Sequence, residues 1–437
     1  MNVCSDFPRH GLRFLLLAAV LLINAHAARA DWPQFRGPLG DGHVTAAGDS
    51  TTLGLPLTWS ETENVTWKTP IPLRGWSTPV VLGGQVWLTT ADPAGHDFYA
   101  IGVDAETGKI VHNLKVFHCD APEPLGNPVN CYAAPSPAVE PGRVYVHFGS
   151  YGTACLDTAT GKTIWERTDL PCRHYRGPGS SIILFENLLI LTMDGVDMQY
   201  VAALDKMTGK TVWKTDRTTK WTDLDSTGQP IKEGDMRKAY TTPCVAMVGV
   251  QPQLFSPGAK AAYSYDARTG KELWKITYTG YSNASSPIFD HGLAFLHSGH
   301  DINELCAIRP DGTGDVTKTH ITWKAKLPAT RTPSPLLVGD LLYAVSESGK
   351  LFCLEAKTGQ QVWAQPIGGT FVASPVYADG RIYFFNQQGN TTVIRPGRAC
   401  EILARNKLAD GFNASPAVGG KAFFLRTKDA LYRIETK

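Results

Sequence analysis

The stretch that most constrains this chain is Ser334 to Trp363, SPLLVGDLLYAVSESGKLFCLEAKTGQQVW. Three apolar segments (Leu336 to Val338, Leu341 to Val345, Leu351 to Leu354) and a fourth ending at Val362 and Trp363 are separated by Gly339-Asp340, Ser348-Gly349 and Ala356-Lys357-Thr358-Gly359. Short apolar runs punctuated by glycine-bearing turns predict hairpins, so the stretch reads as one four-stranded antiparallel blade. An isolated unit of this size cannot bury its own faces, and it must therefore recur.

It does recur. Ser or Thr followed by Pro opens a blade at Thr78-Pro79, Ser136-Pro137, Thr242-Pro243, Ser286-Pro287, Ser334-Pro335, Ser374-Pro375 and Ser415-Pro416, while Ser181-Ile182 keeps the serine and loses the proline. Proline is tolerated at the first residue of a strand, where it need not donate to the ladder. A second signature spaces Asp, Gly and Trp four residues apart: Asp157/Gly161/Trp165, Asp205/Gly209/Trp213 and Asp266/Gly270/Trp274. Blade six has Glu355/Gly359/Trp363, and blade one has Asp104/Gly108 with His112 in the tryptophan place. Asp accepts hydrogen bonds from turn N–H groups, Gly takes the left-handed conformation, and Trp packs on the next blade. Blades five and seven depart from the pattern at Arg309-Pro310-Asp311-Gly312 and Arg395-Pro396-Gly397.

Eight starts predict an all-β, eight-bladed propeller of four-stranded antiparallel blades over residues 59–437. Residues 414–437 supply only three strands, and Asn64 to Lys68 is an orphan strand before the first start. That N-terminal strand is expected to complete blade eight and close the ring, leaving no long exposed edge.

Residues 1–30 carry Arg9 and Arg13, an apolar run and Ala28-Arg29-Ala30, the pattern of a secretory signal peptide cleaved before Asp31. The run is short for a membrane span, and no second long one follows. Removal of Arg9, Arg13, Arg29 and Asp6 leaves 39 Lys+Arg and 39 Asp+Glu. A balanced chain offers no electrostatic case for nucleic acid or an anionic membrane. The expectation is an exported protein, periplasmic or secreted, and monomeric.

Export permits disulfides. Cys155, Cys306 and Cys353 occupy one place in three repeats and read as buried thiols, whereas Cys119 and Cys131 flank one loop and are either a disulfide or two free thiols.

The repeats resemble the pyrroloquinoline-quinone-like (PQQ-like) propeller family, carried by the inner-strand Ser-Pro and by LDTATGKTIW at 156–165 and LDKMTGKTVW at 204–213. The resemblance runs from Trp59 to the C-terminus. DWPQFRGP at 31–38 resembles the opening of exported bacterial members, and residues 31–58 are expected to form a collar on the propeller surface. One branch of the family is the quinone- and calcium-dependent dehydrogenases. This chain lacks their adjacent cysteine pair and a matching set of calcium ligands, so the resemblance implies neither cofactor nor catalytic residue. The other branch resembles the propeller lipoprotein of the outer-membrane β-barrel assembly machine, a scaffold.

Insertions at 115–134, 168–179 and 215–239 lie between blades and are expected to rim one mouth, the third as a solvated loop. Residues preceding each first strand should face that mouth. The candidate ligand-binding residues are Trp76, Tyr132, Arg176, Tyr240, Tyr281, Asn283, Arg331 and Phe412, with Tyr175, Phe371 and Asn413 beside them. They either plug the channel or hold a planar or sugar-like ligand. His297, His300 and Asp301, and the trio His118-Cys119-Asp120, fall short of a transition-metal ligand set. The expected function is a non-catalytic propeller that binds a protein, peptide or envelope polymer. The alternatives are a PQQ-dependent dehydrogenase of alcohols or sugars, and a carbohydrate-binding or carbohydrate-active propeller.

Overall fold

The computed structural model describes residue 1 and residues 31–437 except 47, 50 and 329. The expected signal peptide lies outside the described residues. Eight antiparallel sheets follow one another around a ring. Blades one to seven span residues 80–118, 138–167, 183–216, 244–277, 288–326, 336–366 and 376–407. Blade eight consists of Ala417–Gly419, Ala422–Arg426 and Ala430–Glu435, and Val65–Pro70 pairs antiparallel with the last of these as its fourth strand. The ring closes as the orphan strand predicts. Blade four gains a short fifth strand, Gly314–Asp315, which crosses from blade five and pairs parallel with Glu272–Thr277.

The hydrophobic cores lie between neighbouring blades. Tyr145, Cys155 and Trp165 of blade two pack with Leu189, Leu191 and Leu204 of blade three, and other junctions repeat the arrangement. Cys155, Cys306 and Cys353 are buried there as free thiols. Cys119 and Cys131 are also free, and burial pushes the Cys131 thiol up to about 11.

Two repeated bonds tie blade to blade. In the first, the signature tryptophan donates its indole N–H to a turn carbonyl of the next blade: Trp67 to Ala105, Trp165 to Lys206, Trp274 to Pro310, Trp323 to Ala356 and Trp363 to Gly397, at 2.9–3.1 Å. His112 makes the equivalent Nε2 contact with Thr158 O at 3.1 Å, so the substitution in blade one preserves the bond. The signature glycine meets two demands at once. Gly209 has φ +72°, and a Cβ there would lie 2.7 Å from the Trp165 ring.

The second bond gives the Ser/Thr of the blade starts its purpose. The backbone N–H of Thr78 donates to Ser136 Oγ, Ser136 to Ser181 and Ser181 to Thr242, at 2.8–2.9 Å. Ser286, Ser334 and Ser374 continue the series to Ser334, Ser374 and Ser415, at 2.9–3.0 Å. Blade three loses the proline and keeps the serine because the ring of bonds needs the hydroxyl. Elsewhere other groups bridge the blades: Tyr240 N–H and Thr241 Oγ1 donate to Asn283 O, and Arg426 Nη1 donates to Ser77 Oγ and Thr89 O. Ser136→Ala is expected to leave Thr78 N–H buried without an acceptor and to lower stability by about 1–3 kcal/mol. Ser136→Thr should restore most of it, as urea unfolding would report.

Within the segment 31–58, expected as a surface collar, residues 32–36 cross the ring as a plug, whereas Val44, Leu53 and Leu55 bond along blade seven through Tyr377 O and the Asp379 carboxylate. Trp32 is buried and exchanges backbone bonds with Val81 of blade one, and Pro33 O accepts from Val139 N of blade two. Gln34 Oε1 accepts from Leu184 N of blade three, and Arg36 reaches Pro335 O and Pro375 O at the starts of blades six and seven. A short segment reaching blades on opposite sides of a ring must cross its middle. Burial lowers the Arg36 pKa to about 10 against the opposing charge of the nearby Asp41.

Candidate functional site

Alternating strand direction sorts the loops by face. Each first strand leaves the mouth, and the second returns to it. The mouth is therefore lined by residues before first strands and by turns between second and third strands. Together they wall a cavity of about 980 Å³, with Phe35 of the plug and the blade-start hydroxyls Thr78, Ser136, Ser181, Thr242, Ser374 and Ser415 at its base. All three insertions reach it: Asn127 to Asn130 from the first, Arg176 and Gly179 from the second, Lys232 and Asp235 from the third.

Of the predicted residues, Trp76, Arg176, Tyr240, Tyr281 and Arg331 line the cavity, with Phe371 and Asn413. Tyr132, Asn283 and Phe412 do not. Tyr132 is buried between blades one and two, its hydroxyl donating to Glu123 O at 2.9 Å. Asn283 donates to Tyr278 Oη and His297 O, and Phe412 packs edge-on to Phe385. Their sequence positions match those of lining residues, but neighbouring inter-blade cores claim the side chains. Arg74, His300, Glu347 and Lys428 also line the cavity. Sequence reasoning missed Glu347 and Lys428 because it followed blade starts and passed over the turns after the second strand, and it weighed His300 only as a metal ligand.

Of the three arginines that line the cavity, Arg176 and Arg331 are paired with carboxylates. Arg176 makes a bidentate bond to Asp235, Nε to Oδ1 at 2.6 Å and Nη2 to Oδ2 at 2.8 Å, which raises its pKa. Arg331 Nη2 lies 3.0 Å from Glu347 Oε2, and Thr332 Oγ1 donates to the same carboxylate.

The third insertion is anchored more firmly than a solvated loop. Arg217 and Asp194 form a two-point pair with side chains 2% and 1% exposed, and Arg217 also donates to Ser256 O and Oγ. Asp223 accepts from Arg237 at 2.7 Å, and Asp235 holds Arg176. Asp216, Lys220, Asp225, Lys232 and Glu233 stay exposed as expected.

Under this rim lies a buried polar network. His174 Nε2 accepts from Ser150 N–H at 3.0 Å, and its Nδ1 lies 3.0 Å from Lys238 Nζ. Lys238 Nζ also donates to Asp194 O at 2.9 Å. Burial lowers the pKa of both groups.

The histidine candidates are otherwise engaged. His297 Nε2 donates to Thr330 Oγ1 at 2.8 Å while Nδ1 accepts from Gly299 N–H, and His300 pairs with Asp301. His118 lies between Asp97 and Asp120. Among the described residues no group of three or more His, Cys, Asp or Glu is placed to hold a metal ion. Nor is any described helix long and apolar enough to cross a membrane.

A family model described as outer membrane protein assembly factor BamB matches residues 28–174 and 197–437. The protein of that name from Yersinia pestis is 25% identical over 214 residues, covering 44% of this chain and 49% of the relative. The chain spans about half the length of the curated relatives it matches. Among solved structures, BamB from Moraxella catarrhalis superposes with a TM-score of 0.57 at 13% identity, over 84% of this chain and 99% of that one. The quinohemoprotein alcohol dehydrogenase of Comamonas testosteroni superposes with a TM-score of 0.64 at 13% identity, over 94% and 82%. At such identities the likeness shows a shared propeller and leaves activity undecided between them. The family model covers most of the sequence, and the chain belongs to the outer membrane protein assembly factor BamB family.

Proposed function

We propose that this chain is an exported, non-catalytic propeller that binds an envelope protein or polymer through its loop-bearing face. The observation that carries the reading is the convergence of three insertions on one rim, where Arg217–Asp194 ties the third to blade three, Arg176–Asp235 joins the second to the third and Arg237–Asp223 braces the third internally. A pre-organised rim of this kind loses little freedom on association. Relatives named for outer-membrane protein assembly make a protein of that process the first partner to seek.

The dehydrogenase-like fold raises the question of a quinone over calcium. Calcium takes about 6–8 oxygen ligands. The carboxylates lining the cavity are Asp235 and Glu347, and each already holds an arginine. These residues do not fit that centre, which supports a reading without it.

Photo-crosslinking in the producing cells tests the proposal. Val129 and Ile231, 74% and 42% exposed, stand on two of the insertions, whereas Val250, 93% exposed, stands on a turn between first and second strands. Discrete adducts are expected from the first two positions and none from Val250. Equal labelling at Val250, or turnover of alcohols or sugars by protein reconstituted with quinone and Ca²⁺, would overturn it.

A further inference from the structure

We infer that the cavity inside the rim is a site for a short acidic oligosaccharide, one that carries carboxylates on its sugar rings. The inference rests on the loop-bearing face being a binding surface, and it names what the concavity takes.

Charge comes first. The cavity is lined by Arg74, Arg176, Lys232, Arg331 and Lys428 against Asp235 and Glu347. Arg176 and Arg331 neutralise the two carboxylates. Among the described residues Arg74, Lys232 and Lys428 form no ion pair, and Arg74 Nη2 donates to a backbone carbonyl, Pro128 O. The surplus is cationic, and a concave wall of low polarisability concentrates its field on an anion.

Shape and surface narrow the class. Trp76, Tyr240 and Tyr281 are half-buried and line the same cavity, and Arg74 stacks on Trp76 with its guanidinium 5.0 Å from the ring centroid. Half-buried aromatic rings beside cations suit a ring with an apolar face and a charged substituent. An extended acidic peptide would bind by pairing its backbone with a strand. The inner-strand N–H groups at this depth already donate to neighbouring hydroxyls around the ring, as Thr78, Ser136, Ser181 and Ser374 show. Recognition is left to side chains. Phe35 and the plug behind it close the base, so a ligand enters as a short oligomer or a chain end and does not thread the ring.

Calorimetric titration of the full exported chain with a short oligogalacturonate, its neutral galactose counterpart and oligoglutamate of equal charge tests this. Saturable binding is expected for the oligogalacturonate alone, weakening with added salt. Lys232→Glu and Lys428→Glu, both exposed and neutral to folding, should each weaken it about tenfold. Trp76→Ala should abolish it while the thermal unfolding midpoint stays near wild type. No saturable binding, equal binding of oligoglutamate, or unchanged affinity in the two charge reversals would overturn the assignment. Rim crosslinks without oligosaccharide binding would overturn it alone; oligosaccharide binding without rim crosslinks would instead remove the scaffold reading.

Discussion

Asp194→Ala is expected to lower the stability of the folded chain by about 3–5 kcal/mol, because it leaves a buried guanidinium without its counter-ion. Asp194 ends the second strand of blade three, and Arg217 follows the last strand of the same blade. The pair excludes solvent from both side chains, and Arg217 carries the bond onward to Ser256 of blade four. The truncation therefore strikes the blade, the junction and the root of the third insertion together. Urea unfolding of the variant measures it. The double replacement Asp194→Leu with Arg217→Met should recover much of the loss, since removing both charges avoids the unpaired ion. A single-variant loss below about 1 kcal/mol would show that the guanidinium finds water when its partner leaves.

Acid should unfold this protein through its buried histidines before its surface carboxylates matter. Burial lowers His147 to about 4 and His297 to about 3, and holds His174 well below its ordinary value of 6.5. Each is neutral when folded and takes up a proton on unfolding anywhere between its folded value and about 6.5. Their contribution is complete above about 6.5 and is lost as pH falls towards 4 and 3. His147 alone accounts for about 3 kcal/mol across that window at about 1.4 kcal/mol per pH unit. Unfolding free energies measured from pH 7 to pH 4 should fall accordingly, and His147→Gln should flatten the slope. A slope unchanged in that variant would refute the assignment. Lys238 acts at the other end: its folded value lies below the unfolded one, so its unfavourable term is relieved as pH rises.

The repeats made the architecture readable because turn and strand phase recur together. Asp157 accepts from Thr160 N–H and Oγ1 just as Asp205 does from Thr208, and the glycine that follows takes positive φ in both. Blade eight was readable by subtraction, from three strands at one end and an orphan at the other. The site was only half readable. Placement before a first strand brings Trp76 and Tyr240 to the cavity, but the same placement sends Tyr132 and Phe412 into inter-blade cores. Trp76 and Tyr240 stand two residues before the blade-start hydroxyl, Phe412 three and Tyr132 four, and the outcome depends on what the neighbouring blade leaves room for.

Local spacing alone specified eight blades, their order, the closing strand and the face that carries the insertions, since strand period and turn chemistry act over a few residues. Long-range contacts settled the rest. The segment DWPQFRGP shows no local sign of crossing a ring, yet Trp32, Arg36 and Phe35 find partners on blades one, six and seven and at the base of the cavity. Asp194 and Arg217 stand 23 positions apart and Arg176 and Asp235 stand 59 apart, and nothing in either stretch announces its partner. Ion pairs and plugs depend on which surfaces the closed ring brings together, so they take form only once every blade is in place.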